Sequence, residues 1–262
     1  MSTGFDFLLP GALDGAALLA ARVGALVLIA PVFSASVLPN TLKATLVVLV
    51  TFLMLPLAFP AGARMPAFTI ATVTAESLVG FAMGLGAALV VGAAETAGDL
   101  LAVQSGLSGA STLDPLTLTT APSLGEFFRL LVLTLLIASG GHILSLQALA
   151  ASTRVIPIGS TVAVRDGLAA LVGLGGQLFL LGLRFAAPVT AAVLVSNLAL
   201  GVLTRTVPQL NALAVAYPVQ ITVGLLALLA ALPLIGAFMG GWPAQYQELV
   251  ARLLGTLAHG GR

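Results

Sequence analysis

Residues 69–93 read TIATVTAESLVGFAMGLGAALVVGA, a run whose single ionisable side chain is Glu76. A helix rising 1.5 Å per residue needs about 20 mostly apolar residues to cross a hydrocarbon core of roughly 30 Å. The stretch is long enough to span a bilayer, and it is not alone. Working outward in both directions, further apolar blocks lie at 12–33, 42–59, 127–150, 167–203 and 212–239. Six such blocks account for most of the chain, which is 59% hydrophobic and only 7% charged. Soluble domains are roughly a quarter charged, so these 262 residues carry too little polar surface to clothe a water-soluble globule.

Lipid offers no partner to a free backbone N–H or C=O, which leaves helices or closed barrels as spanning structures. The alternating ten-residue strands of a barrel are not visible. The expectation is an all-α polytopic membrane protein of about six hydrophobic helical segments, some bent or forming hairpins. The fifth block, about 37 residues with Arg184 and Pro188 inside it, exceeds one simple span. A break, a hairpin or a bend is therefore expected near 184–188. The end, WPAQYQELVARLLGTLAHGGR, reads as a short amphipathic helix at an interface. The start lacks the basic region of a signal peptide and is read as retained.

Several function classes find no support. There is no cysteine, hence no disulfide framework and no thiolate ligand. A net charge of +1 without a basic run gives nucleic acid no electrostatic footprint. His142 and Ser145 share a helical face, but no nucleophile elbow accompanies them, so the protein is read as not an enzyme. No ligand cluster suggests a metal and no Gly-rich phosphate cradle suggests a nucleotide, so no cofactor is expected.

The informative residues are the polar ones. An ionised side chain at mid-bilayer costs about 2.5–3.5 kcal/mol or more, so Arg22, Glu76, Glu95, Asp99, Arg184, Asn197 and Arg205 should each find a partner, water or an interface. Glu95 and Asp99 lie one helical turn apart on one face, and Glu126 and Arg129 are spaced to pair. Gly80/Gly84 and Gly236/Gly240 are G-x-x-x-G steps that permit close helix approach. Between the third and fourth blocks runs GLSGASTLDPLTLTTAPS (106–123), small, rich in hydroxyls and broken by glycine and proline. On these residues alone the chain is a channel component, a carrier or a part of an assembly. A stand-alone permease using Arg184 with Glu95 and Asp99 is one such reading.

Ordered motifs narrow the choice. RVGALVLIAPVFSASVLPNTLK, ESLVGFAMGLG, GDLLAVQSGLSGASTLDP, GGHILSLQALAASTRVIPIG and LGLRFAAPVTAAVLVSNLALGVLTRTVPQLNALAVAYPVQITVG follow one another between residues 22 and 224. In that order they resemble the FliR family, the flagellar member of the export-gate proteins, whose injectisome counterparts form the SctT group. Two departures stand out: Gln220 where the family usually has lysine, and Gly109 and Thr112 where aromatic side chains often precede the Asp-Pro.

The resemblance implies a non-enzymatic, one-copy subunit of the type III protein export gate in the bacterial inner membrane, at the flagellar basal body. It implies FliP-like and FliQ-like gate partners, FlhB-like and FlhA-like export components, and unfolded flagellar proteins as cargo. It further implies a FliP-like part over about 1–150, a FliQ-like helical hairpin over about 151–240, and the tail 241–262. Segment 106–123 would then plug the channel through Gly106, Ser108, Gly109, Ser111, Thr112, Leu113, Asp114, Pro115, Thr117, Thr119 and Thr120. Arg22, Glu76, Glu95, Asp99, Arg184, Asn197, Arg205, Gln209 and Asn211 would serve polar packing or subunit contacts.

Overall fold

A computed structural model describes residues 11–35, 38–60, 66–104, 124–206 and 212–259. Among these, every regular element is helical: α1 Ala12–Ile29, α2 Pro31–Ser34, α3 Asn40–Ala58, α4 Ile70–Gln104, α5 Leu124–Ala138, α6 Gly141–Val155, α7 Val164–Thr206 and α8 Ala212–His259. Three helices are long and apolar enough to cross a membrane, or up to five if each of two bent helix pairs counts as one span. The chain is an all-α polytopic membrane protein.

Local chemistry sets several boundaries. α4 opens on a reciprocal cap: the Thr69 N–H donates to Thr72 Oγ1 at 2.9 Å and the Thr72 N–H to Thr69 Oγ1 at 3.2 Å. Two otherwise orphaned donors are thereby satisfied, with threonine standing where a capping box has Glu or Gln. Gly140, at φ +79, separates α5 from α6 in a conformation that L side chains avoid. No break or hairpin falls at 184–188: α7 runs as one helix of 43 residues through Pro188. Proline removes one N–H and crowds one carbonyl. Unwinding a turn in apolar surroundings would strand several backbone groups without partners, which costs more.

The chain divides into two compact units. The first comprises residues 1–89, 136–175 and 242–262. Here α1 pairs with α3, and α3 also meets α6. α4 lies against α1 at the Gly80/Gly84 step: a Cβ on Gly80 would stand 2.1 Å from the Arg22 carbonyl oxygen, and one on Gly84 2.9 Å from Ile29 Cβ. The last turns of α8 complete this core. Trp242 stacks on Tyr246 at 4.9 Å, the Tyr246 hydroxyl donates to the Met83 carbonyl at 3.2 Å, and both rings are buried. Residues 241–259 thus continue α8 instead of forming a separate short helix. Their apolar side is buried, while Glu248 and Arg252 pair on the exposed side.

The second unit comprises residues 90–135 and 176–241. It contains the end of α4, most of α5, and the lengths of α7 and α8 that flank residues 207–211. Ala186, Val189, Val193 and Ser196 turn one face of α7 inward. Their spacing of three and four is that of a single helical stripe. Gly182 lets α7 approach α4, where a Cβ would sit 3.1 Å from the Ala93 carbonyl oxygen.

Candidate functional site

The first unit holds a closed polar knot. Arg22 of α1 is fully buried, and Glu76 of α4 is 1% exposed. Arg22 Nε donates to Glu76 Oε2 at 2.6 Å, one Nη donates to Ser152 Oγ at 3.0 Å, and the other donates to the Ile156 carbonyl at 3.0 Å. The second Glu76 oxygen accepts the Gly159 N–H at 2.8 Å. The Ser152 hydroxyl in turn donates a hydrogen bond to the Leu149 carbonyl at 2.7 Å. Gly159 can turn its N–H inward because it adopts φ +82, where a Cβ would collide with Pro66 at 2.1 Å. A buried ion pair persists when its remaining donors and acceptors are satisfied as well. With both Glu76 oxygens engaged, the knot fastens α1, α4, the end of α6 and the 157–160 turn to one another, and offers a solute no open carboxylate.

The second unit brings Glu95 and Asp99 of α4 to the first turn of α5. Gly98 and Gly125 put the two backbones in contact, since a Cβ on Gly98 would lie 2.7 Å from Gly125 Cα and 2.7 Å from the Leu124 carbonyl oxygen. A Cβ on Gly125 would lie 2.2 Å from Asp99 Oδ1 and 2.9 Å from the Glu95 carbonyl oxygen. Beside this contact Arg129 grips Glu126 through two hydrogen bonds of 2.6 and 2.5 Å, and Glu95 lies within electrostatic reach of the same guanidinium.

The remaining polar residues of the second unit lie on α7 and α8. Asn197 Oδ1 accepts a 2.6 Å hydrogen bond from Gln220 Nε2, so glutamine ties α8 to α7 without a charge. Arg184 and Arg205 are exposed and have no partner among the described residues. Gln209 and Asn211 lie outside the described residues, as does the whole stretch 106–123. Ser145 Oγ donates to the Gly141 carbonyl at 2.9 Å instead of engaging His142. Among the described residues no three His, Asp or Glu side chains converge as metal ligands would.

Four partners were not legible as partners in the sequence. Ser152 and Gly159 belong to a recognisable motif, but nothing in that motif says that they close around a charge pair from α1 and α4. The Ile156 carbonyl carries no sequence signal at all. Gln220 stands out only as a departure, and its role follows from the proximity of Asn197.

Comparison with known proteins shows the family. The model of the bacterial export proteins, family 1, matches residues 14–243. The flagellar biosynthetic protein FliR of Pectobacterium carotovorum subsp. carotovorum is 33% identical over 240 residues, covering 90% of this chain and 91% of that protein. FliR of Escherichia coli (strain K12) is 31% identical over 239 residues, with 90% and 91% covered. The surface presentation of antigens protein SpaR of Shigella flexneri is 29% identical over 147 residues, 55% of this chain and 56% of that one. Arg22, Glu76, Ser152 and Gly159, which the knot draws together, all lie within the matched span. The chain belongs to the FliR family of bacterial export proteins.

Proposed function

We propose that this protein is a non-enzymatic, one-copy subunit of the flagellar type III protein export gate in the bacterial inner membrane. It forms and closes the channel for unfolded flagellar proteins together with FliP-like and FliQ-like subunits. FlhB-like and FlhA-like export components act on the same gate. The observation that carries this reading is the near end-to-end relationship to flagellar biosynthetic proteins, over about nine-tenths of both chains.

Within the reading, residues 1–150 form the FliP-like part, 151–240 the FliQ-like hairpin and 241–262 the tail. Segment 106–123 is the plug. Its composition supports this, because a small, hydroxyl-rich stretch between two apolar helices suits a watery lumen better than lipid. Arg184 and Arg205, exposed and without a partner among the described residues, support a role inside an assembly, where a cation on an apolar helix finds a partner or water. A stand-alone permease would bind its solute through Arg184 with Glu95 and Asp99.

Deleting Gly109–Thr120 in the native gate tests the plug. The expected result is an ion leak across the inner membrane with the gate still assembled. Unchanged leak, export and assembly would make the segment a passive connector. The relationship to SpaR favours one second reading, the equivalent subunit of a virulence injectisome. Restoration of motility in a cell lacking its own FliR supports the flagellar role, and failure there with rescue of injectisome secretion supports the other.

A further inference from the structure

The first unit carries a shallow cleft of about 120 Å³ at the head of α4. Ala71, Thr72 and Ala75 of α4 line one side, and residues 160–162 with Val164 line the other. Two of its hydroxyls are already engaged by backbone. Thr72 turns to the Ala67 and Thr69 carbonyls at 3.0 and 2.9 Å, and Ser160 donates to the Pro157 carbonyl at 2.7 Å. The cleft therefore offers a ligand mainly carbon. Ile70, just ahead of Ala71, and Leu168, one turn on from Val164, are exposed and extend the apolar surface beyond it. α4 is long and apolar enough to cross a membrane, and its first turn is where a spanning helix meets lipid headgroups.

A cation stands at the rim. At 3.6 residues per turn, Arg165 leaves α7 about 100° round from Val164, and Asp166 about 200° round, on the far side. Arg165 is exposed and has no ion-pair partner among the described residues. We propose that the cleft seats an acyl chain of an anionic phospholipid whose phosphate is held by Arg165. The site requires only that the protein be embedded in a bilayer, whatever passes through the gate. An apolar cavity of about 150 Å³ stays dry and takes up a molecule the size of benzene, so this space accepts a short run of methylenes. The seated chain also shields the polar knot. Buried Ala75 precedes Glu76, and Ser160 follows Gly159, whose N–H occupies the second Glu76 oxygen. The inner wall of the cleft is thus the outer wall of the ion pair, and a chain filling it keeps water away.

The test uses the full-length protein, purified with its assembly and reconstituted in phosphatidylethanolamine bilayers. These carry a trace of phosphatidylglycerol with a photoreactive acyl chain, or phosphatidylcholine with the same chain. Labelled peptides are mapped by mass spectrometry. The anionic probe should label residues 71–75 and 160–164 about fivefold more than the zwitterionic one, the weight of one basic residue near an anionic membrane surface. Arg165→Gln should erase that preference. Ala71→Phe, which fills the cleft from its exposed rim, should abolish labelling by both probes. Arg252→Gln, exposed and paired with Glu248 in the parent, is the control and should label as the parent does.

Equal labelling by the two probes in the parent would overturn the proposal, as would a preference that survives Arg165→Gln. Labelling confined to other helices would do the same. A photoreactive side chain placed at Thr161 should capture lipid; capture of a second protein there would show that a protein surface fills the cleft and refute the lipid. If Ala71→Phe is lost from membranes, Arg165→Gln, which alters only an exposed side chain, decides.

Discussion

Arg22 and Arg184 are the same side chain on two apolar helices, and the protein treats them in opposite ways. Arg22 is fully buried and spends its guanidinium on a carboxylate, a hydroxyl and a carbonyl of its own chain. Arg184 is exposed on α7 and pairs with no described residue. Arg22 is satisfied wholly by its own chain, as in a region that folds by itself, although Thr51 Oγ1 and His142 Nδ1 of the same unit are buried without a hydrogen-bond partner among the described residues. Arg184 finds no such partner, and neither do the exposed Arg154 and Arg165 of the first unit. The contrast predicts that Arg22 variants fail in the isolated protein, while Arg184 variants fail only in the assembly.

The largest effect should come from the knot. Glu76→Ala or Arg22→Ala leaves a buried charge unpaired, at a cost of about 3–5 kcal/mol, so the protein should be lost from membranes before any gate forms. The double variant Arg22→Met with Glu76→Met should recover part of that loss, because two apolar side chains remove the desolvation penalty that a single change exposes. Quantitative blots of membrane-inserted protein measure both. A double variant no better than the singles would show that the knot acts through Ser152 and Gly159 more than through its charges.

Trp242→Ala removes a buried ring stacked on Tyr246 and should cost about 3–5 kcal/mol on the scale of large-to-small core changes, read as a lowered melting temperature of the detergent-purified chain. Gln220→Leu breaks the link to Asn197 and should cost about 0.6–1.7 kcal/mol, the span measured for hydrogen bonds between membrane helices. Gln220→Lys keeps a donor for Asn197 Oδ1 and should leave stability near that of the parent. Arg184→Glu sharpens the comparison most, although its intrinsic effect is the smallest. The melting temperature of the isolated chain should hold, with a change within about 0.5 kcal/mol, while co-purification of gate partners falls. A drop in stability without partners present would place Arg184 among the self-contained residues and erase the contrast.

Much of this architecture is legible in the residues. The 69–93 run marks α4, and Gly80/Gly84 foretell a close approach that α1 provides. At the matching step a Cβ on Gly236 or Gly240 would meet nothing within 4 Å among the described residues, because spacing states that an approach is possible and not who approaches. The Arg22–Glu76 pairing joins positions 54 apart, and no local pattern reports which helix will lie against which. Pro188 reads as a break because propensity weighs one lost hydrogen bond and is blind to the cost of unwinding beside apolar neighbours. The α4–α5 contact is half legible: Glu95 and Asp99 share a face by spacing, but Gly125, against which Asp99 lies, comes only after the 106–123 segment.

The three-part make-up of the first unit bears on how the protein is made. Its core needs Arg22 and Met83 from early in the chain, and also Trp242, Tyr246 and Leu257 from its end. At about 5–20 residues per second, roughly 11–45 s separate the emergence of Arg22 from that of Tyr246. Throughout that interval the Met83–Gly86 face of α4 and the contact at Gly167 await their covering residues. A nascent chain therefore carries an unfinished core through nearly its whole synthesis, and one released before Trp242 can never complete it. Chains truncated before Trp242 are expected to be cleared faster than the full chain, which pulse-chase labelling of membrane fractions measures.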